Sequence, residues 1–197
     1  YVSIKCERKD IMLDGVKFEA KNEKQALSQG IVYVSEDRKK EGLVLGMSVA
    51  KNVTISSLGR FSKGQLINKK QEKESVLHYK DAMRIKTPSL DQSVKLLSGG
   101  NQQKVSIAKS LSTQPKILIM DEPTRGVDVG AKKEIYELMN EFKRNGLGIL
   151  MISSEIPELL GVCDRIMVMS EGKIAGVLSR DKANSNEIMR LAIGAGV

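Results

Sequence analysis

The sequence predicts an α/β fold built on a parallel sheet. After Pro115, aliphatic runs of strand length alternate with amphipathic helical segments, the pattern of a parallel sheet with helices on both faces. Residues 37–113 are mainly helical in pattern, which predicts a helical insertion ahead of that sheet. The chain has 197 residues, 41% of them hydrophobic and only 4% aromatic, so we expect one domain with an aliphatic core.

The first part of the chain contains small β elements, a short helix and one core strand. Residues 1–6 alternate like a short strand, and an Asp-Gly pair within residues 11–18 signals a hairpin. Residues 25–27 lead to Gly30, as in a short helix followed by its C-terminal glycine. Residues 31–34 then form a compact strand.

Helical periodicity is clearest in residues 69–85, where Val76, Tyr79 and Met83 recur at spacings of three and four. A Thr-Pro-Ser sequence at residues 87–89 ends this helix. The remaining predicted elements are helices at residues 101–111, 131–144, 157–160 and 186–192 and strands at residues 117–120, 148–152, 165–169 and 174–178.

Charge and composition argue against several classes of protein. The chain has 32 basic and 24 acidic residues, a net charge of +8, but its basic residues are scattered, which argues against a nucleic-acid groove. Because no apolar run reaches about 18 residues, membrane association must come through a partner. Cys6 and Cys163 lack metal-ligand spacing, as in a reduced cytoplasmic protein, and the single histidine, His78, is expected at a surface or packing position.

A glycine pair at the start of a predicted helix is the first candidate binding feature. Residues 97–104 read Leu-Ser-Gly-Gly-Asn-Gln-Gln-Lys. A helix that begins near Gly100 leaves its first N–H groups without internal partners, and these donors favour an anion such as phosphate. The glycines allow close approach of the backbone, and Ser98 adds a hydroxyl donor. The alternative is an ordinary Ser-Gly-Gly turn that caps a helix.

Two carboxylates follow an aliphatic strand and form the second candidate feature. Asp121 and Glu122 lie at its carboxyl end, the edge of an open α/β sheet where ligands bind. Since adjacent side chains of a strand point in opposite directions, we expect them to serve different tasks. Asp121 is the candidate to hold Mg²⁺ through water, and Glu122 the candidate to polarise an attacking water. The alternative is a pair of solvated carboxylates in the turn before Pro123.

These motifs together resemble the ATP-binding cassette (ABC) family, in its importer branch. Residues 97–104 match the family signature, residues 117–123 match its Walker B strand, and Gly-Val-Asp at 126–128 falls at its D-loop. The Ser-Glu-Asp-Arg-Lys-Lys-Glu-Gly of residues 35–42, combined with residues 121–132, looks like the second of two fused ATPase halves in monosaccharide importers of the ribose and galactose type.

The resemblance implies a P-loop NTPase-like (RecA-like) parallel sheet core with an inserted helical signature subdomain. The chain would be the C-terminal part of one nucleotide-binding domain. Residues 1–36 would form the β-rich portion and a core strand, residues 37–113 the helical signature subdomain, and residues 114–197 the RecA-like core. No Gly-x-x-x-x-Gly-Lys-Ser/Thr phosphate loop (Walker A) occurs in the sequence, so the Walker A strand is expected to be missing.

The resemblance also implies a composite site for ATP and Mg²⁺, because the signature of one half closes on the ATP held by the other. The residues expected to take part are Ser98, Gly99, Gly100 and Gln102 on the partner's ATP, Asp121 on Mg²⁺, Glu122 as catalytic base, Asp128 in the D-loop, Glu36 at the Q-loop glutamine and Ser154 at the switch histidine. Glu36 and Ser154 depart from the family pattern, whereas Glu122 conforms to it. This half therefore looks like a degenerate site, and the chain alone is expected to be inactive.

The implied function is energy coupling in an ABC sugar importer, for ribose or a related monosaccharide. Its partners would be a second nucleotide-binding half, transmembrane permease subunits and, indirectly, a periplasmic sugar-binding protein, with no nucleic acid. The protein would lie at the cytoplasmic face of a bacterial inner membrane. The alternatives are a non-transport ABC ATPase of DNA repair or translation, or a non-catalytic regulatory half. Because the Walker A strand of the family lies beside the strand at residues 148–152, the isolated chain is expected to be weakly stable.

Overall fold

The computed structural model describes residues 10–64 and 66–194, so the strand predicted at residues 1–6 lies outside the described residues. Most predicted elements are confirmed within one turn. In chain order they are β1 (Met12–Leu13), β2 (Val16–Lys17), α1 (Glu23–Ser28), β3 (Ile31–Val34), α2 (Val49–Thr54), β4 (Ser62–Lys63), β5 (Leu66–Ile67), α3 (Lys69–Ala82), α4 (Gly99–Leu111), β6 (Ile117–Asp121), α5 (Val129–Arg144), β7 (Gly148–Ile152), α6 (Ile156–Val162), β8 (Arg165–Ser170), β9 (Lys173–Ser179) and α7 (Ser185–Ala192).

The central sheet is parallel, as predicted, with the strand order β3–β6–β7. In its register Val34 pairs with Met120, and Met120 pairs with Met151. Val34, Leu118 and Met120 are buried and belong to the main hydrophobic cluster, to which α4 and α5 contribute. The carboxyl ends of β3 and β6 therefore meet at one edge of the sheet, next to the candidate carboxylates.

The opposite face of this sheet is only partly covered. Tyr33, Leu150 and Ile152 are 43%, 45% and 47% exposed. The prediction of helices on both faces is therefore wrong for the described part of the chain, because α4 and α5 pack into the same cluster on one face. On its far side β7 pairs with no other strand among the described residues.

The stretch between β3 and β6 folds as a compact helical unit. Val49 and Val53 of α2 and Val76 of α3 are fully or almost fully buried in the main cluster. Two hydrogen bonds close the unit: the Val49 amide donates to the Gln92 carbonyl at 2.9 Å, and the Val94 amide donates to the Met47 carbonyl at 3.0 Å. Helix α3 ends at Ala82, three residues earlier than predicted, because Arg84 adopts a positive φ of 50°.

Two helices begin earlier than their hydrophobic pattern predicts, because side-chain caps extend them. Ser98 caps α4, so this helix begins at Gly99 rather than Asn101. Asp128 caps α5 by accepting a hydrogen bond from the Ala131 amide at 2.9 Å, so this helix begins at Val129 rather than Ala131. Both starts lie in motif segments, which places two candidate residues at helix N-termini.

The last part of the chain has its own small core. Strands β8 and β9 form an antiparallel hairpin. Ile166 and Val168 of β8 pack with Ile188 and Leu191 of α7, while Met167 on the other face of the hairpin is 48% exposed. This hairpin is a sheet separate from the central one.

Candidate functional site

Asp121 ends strand β6 and is held by a residue of the neighbouring strand. The Tyr33 hydroxyl of β3 donates to Asp121 Oδ2 at 2.8 Å. Partial burial, together with the hydrogen bond to the Asp121 carboxylate, raises the pKa of Tyr33 to about 12. Tyr33 therefore stays a hydrogen-bond donor at neutral pH and orients one oxygen of Asp121, leaving the other as an acceptor.

Glu122 lies just beyond the strand, with a left-handed backbone. Its φ is 44°, and its amide donates to the Ile152 carbonyl at 2.9 Å. Its Oε1 accepts a hydrogen bond from the Ser154 amide at 2.7 Å. A left-handed glutamate is strained, and such strain collects at functional sites. Because β6 ends at Asp121, Glu122 lies outside the strand, and strand alternation does not set the direction of its side chain, contrary to the expectation from the sequence.

Glu36 forms an ion pair with Arg125, four residues beyond Asp121. These two residues line an open cleft of about 350 Å³ together with Asp37, Arg38 and Lys39. The structure thus compensates the negative charge that stands at residue 36. Sequence reasoning considered this charge alone and missed its partner.

The residues of the glycine motif divide into exposed and buried ones. Ser98 is exposed, and its Oγ accepts hydrogen bonds from the Asn101 amide at 3.4 Å and side chain at 3.0 Å. Gly99 is half-buried. Gln102 is buried, and its Nε2 donates to the carbonyls of Val94 and Leu97, both at 3.2 Å. Ser98 and Gly99 are therefore available to a ligand, whereas the amide of Gln102 holds the loop before the helix and does not support the predicted ATP contact.

Gly100 is buried because it packs against the first turn of α5. A Cβ atom built on it would lie 2.5 Å from the Ala131 Cβ and 3.7 Å from Asp128 Oδ2. The first turns of α4 and α5 therefore touch, and the residue 126–128 segment lies against the start of the glycine motif. Sequence reasoning attributed this glycine to phosphate approach only.

Comparison with known proteins identifies the family. A sequence model described as ABC transporter matches residues 3–125.

The chain belongs to the ABC transporter family.

Its curated relatives include two proteins named ribose import ATP-binding protein RbsA, from Clostridium perfringens strain 13 / Type A and strain SM101 / Type A. Each is 54% identical over 186 residues, which cover 94% of this chain but 37% of the relative. The chain thus spans little more than a third of the length of the curated relatives it matches.

Solved ABC cassettes share the fold. The chain resembles cbiO1 from Clostridium perfringens, part of the ABC transporter complex cbiONQ, with a TM-score of 0.77 and 22% identity over 98% of this chain and 74% of that one. It also resembles the ADP conformation of the ATP-binding cassette MJ1267, with a TM-score of 0.77 and 21% identity over 97% of this chain and 79% of that one. These similarities confirm the α/β, P-loop NTPase-like fold.

A buried carboxylate next to these motifs gave no signal in the sequence. Glu158 of α6 accepts hydrogen bonds from Thr124 beyond Walker B, from Ser153 Oγ at 2.9 Å and from Lys132 Nζ at 3.0 Å. Burial raises the pKa of Glu158, but the hydrogen bonds from these three side chains outweigh burial, and the pKa is lowered. Glu158 thus connects Thr124, two residues after Glu122, with Ser153, the neighbour of the Ser154 amide that donates to Glu122.

The Walker B carboxylate fits a magnesium site of the ABC type. The described residues contain no group of three or more His, Cys, Asp or Glu that could hold a metal ion. Mg²⁺ keeps several waters and is bound by one or two carboxylates plus substrate phosphates, so one oriented aspartate suffices. Asp121 meets this requirement with the oxygen that Tyr33 leaves available.

Proposed function

We propose that this chain is part of the ATP-hydrolysing, energy-coupling subunit of a ribose importer and supplies the signature of a composite ATP site. The names and the 54% identity of the RbsA relatives support the substrate class. The observation that carries the composite site is the exposed, Ser98-capped N-terminus of α4, packed at Gly100 against the start of α5 beside Asp128. The outward position of Ser98 suits an ATP held by another half.

The proposed roles follow from the hydrogen bonds. Ser98 and the amides of Gly99 and Gly100 bind the phosphates of the partner's ATP. In this half's own site, MgATP would supply the phosphoanhydride bond that is hydrolysed, and Asp121 is the residue that would hold the Mg²⁺. Glu122 accepts a proton from the attacking water, and the Ser154 amide orients its carboxylate.

This half's own site is proposed to be weak. The Ser154 hydroxyl replaces the imidazole that the family uses at the terminal phosphate, and the Glu36 carboxylate is already paired with Arg125. Asp128 caps α5 and lies beside Gly100, so its proposed D-loop role is to place the signature. Hydrolysis is therefore expected mainly where the Ser98 signature closes on a partner half.

The proposed partners are a nucleotide-binding half that carries the phosphate loop, a transmembrane permease and, indirectly, a periplasmic sugar-binding protein. In the chain, the helical stretch of residues 37–113 follows the β-rich portion at 1–36 and precedes the core at 114–197. This helical stretch would dock the permease. In residues 10–64 and 66–194, no helix is long and apolar enough to cross a bilayer. We place the protein peripherally at the cytoplasmic face of a bacterial inner membrane.

The test is ATP hydrolysis by the protein assembled with the phosphate-loop half and the permease. Ser98→Arg should reduce the rate of ATP hydrolysis by about tenfold or more. The substitution removes the serine hydroxyl, and the larger arginine side chain occupies the position of the phosphate. Ser185→Arg is the matched control, since Ser185 is likewise an exposed serine at the start of a helix and lies outside residues 37–113. Tight ATP binding by the chain alone, or full activity in Ser98→Arg, would contradict the composite site.

Glu122→Gln separates the energy-coupling role from a purely regulatory one. If this half hydrolyses ATP at its own site, the substitution removes that fraction of turnover and leaves the fraction that depends on Ser98. If the rate of ATP hydrolysis is unchanged in both Glu122→Gln and Ser98→Arg, the result would favour the regulatory alternative.

A further inference from the structure

Arg38 is a buried cation whose hydrogen bonds go to main-chain oxygens. It begins the π-helical turn Arg38–Gly42 and is only 9% exposed. Its Nη1 donates to the Arg125 carbonyl at 2.8 Å and its Nη2 to the Gly126 carbonyl at 3.2 Å. Burial lowers the pKa of Arg38, and its Nε is buried without a hydrogen-bond partner among the described residues. A guanidinium held this way costs desolvation that an apolar side chain of the same size would avoid.

The Arg38 guanidinium lies where three motif segments meet. A Cβ atom on Gly99 would be 3.1 Å from Arg38 Nη2 and 3.1 Å from the Gly126 carbonyl oxygen. Gly126 itself has a φ of 65°, which presents its carbonyl in this direction. Arg38 therefore touches the start of the signature helix and the D-loop backbone at the same point.

The turn that carries Arg38 is also fixed at its other end. Lys109 Nζ of α4 donates to the Gly42 carbonyl at 2.6 Å, and a Cβ atom on Gly42 would lie 3.0 Å from Ser106 Oγ. The residue 38–42 turn is thus braced against two places on α4. Just before the turn, Glu36 is ion-paired with Arg125. A displacement of the Glu36 segment must therefore move α4 and residues 125–126 or break these contacts.

We propose that Arg38 is a positioning residue that couples the Glu36 segment of this half's own nucleotide site to the D-loop and to the signature that serves the partner's ATP. The inference rests on the proposed composite site and adds its regulation: occupancy of one site sets the placement of the signature at the other. A planar guanidinium suits this task because its two Nη groups bridge adjacent carbonyls in one fixed geometry. A lysine side chain has only one donor nitrogen, so it cannot hold both carbonyls, those of Arg125 and Gly126, in that geometry.

The test compares Arg38→Met, Arg38→Lys and Arg144→Met in the assembled transporter. Arg144→Met is the matched control, because it is the same substitution at an exposed arginine outside the cleft and outside residues 37–113. Arg38→Met should lower kcat for ATP about tenfold with the KM for ATP within about twofold, since misplacement of a site costs turnover before binding. Arg38→Lys, which keeps the charge on a single donor atom, should lie between the wild type and Arg38→Met, and Arg144→Met should match the wild type.

Amide hydrogen exchange distinguishes positioning from general destabilisation. In Arg38→Met and Arg38→Lys we expect faster exchange at residues 99–101 and 126–128, with the rest of α5 unchanged. Wild-type kcat in Arg38→Met, an equal loss in Arg144→Met, or exchange that rises evenly along the chain would overturn the inference. If Ser98→Arg abolishes hydrolysis while Arg38→Met is silent, only this inference fails. If Ser98→Arg is fully active, the proposed function fails with it.

Discussion

Gly100→Ala should destabilise the protein through a clash between two helices. The added methyl would lie 2.5 Å from the Ala131 Cβ. Non-bonded carbons prefer about 3.5–4.0 Å, so the first turns of α4 and α5 must separate by roughly 1 Å. Both Cβ atoms are fixed to helical backbone, so no side-chain rotation relieves the contact. Overpacking of this kind costs about 1–3 kcal/mol, and replacement of a helical glycine returns at most about 0.5–1 kcal/mol.

We therefore expect Gly100→Ala to lower the free energy of unfolding by about 1–2 kcal/mol, measured by urea unfolding followed by circular dichroism. Gly161→Ala in α6 is the control, because nothing lies within 4 Å of a Cβ at that position. It should be neutral or stabilising by up to about 1 kcal/mol.

The double variant Gly100→Ala with Ala131→Gly restores the missing space. Its stability should exceed the sum of the single effects by about 1 kcal/mol or more, since residues in contact are coupled. A fully stable Gly100→Ala, or a penalty that persists unchanged in the double variant, would refute the packing argument.

Three further predictions concern the site. Glu158→Gln should lower stability by about 1.5–3 kcal/mol, because Glu158 accepts charge-assisted hydrogen bonds. Since folding lowers the pKa of Glu158 from 4.5, wild-type stability should fall as the pH drops below that value, and the fall should be smaller in the variant. Asp128→Ala should cost about 1 kcal/mol by loss of the α5 cap, whereas Asp128→Ser should be close to neutral in the same unfolding assay. Tyr33→Phe should remove one tyrosine ionisation at about pH 12, measured by ultraviolet absorbance during a pH titration, and should leave the tyrosine ionisation near pH 10 unaltered. Loss of an ionisation near pH 10 instead would contradict the hydrogen bond between Tyr33 and Asp121.

The hydrophobic periodicity of the sequence predicted most of the secondary structure, because the periodicity of a strand or a helix depends on residues that are close together in the chain. β7 was predicted to the residue, and α4 and α5 differed only where Ser98 and Asp128 act as caps. Coverage of the sheet was not predictable in this way. The number of helices that pack on each face depends on tertiary contacts, and Leu150 and Ile152 look like buried residues in sequence.

The site was predicted as a set of segments rather than as a geometry. The spacing of the motifs predicted roles for Ser98, Asp121, Glu122 and Ser154, and these roles stay predictions. It could not reveal that Gln102 turns inward, because that depends on the carbonyls of residues 94 and 97. Contacts between distant parts of the chain, such as Arg38 with residues 125–126, leave no periodic signal.

The parallel pairing of β3 with β6 affects the rate at which the chain can fold. Ile31 pairs with Ile117, so the contact between β3 and β6 must close a loop of about 85 residues, an entropy cost of about 4 kcal/mol if the loop is unstructured. The folded structure contains hydrogen bonds between residues 47–49 and 92–94. We expect the helical unit to reduce the entropy cost by forming these bonds before the strands meet, which would shorten the effective loop. We expect substitutions that remove a donor of this internal closure, such as Val94→Pro, to slow refolding more than they accelerate unfolding, so that the order of assembly runs from the helical unit to the sheet.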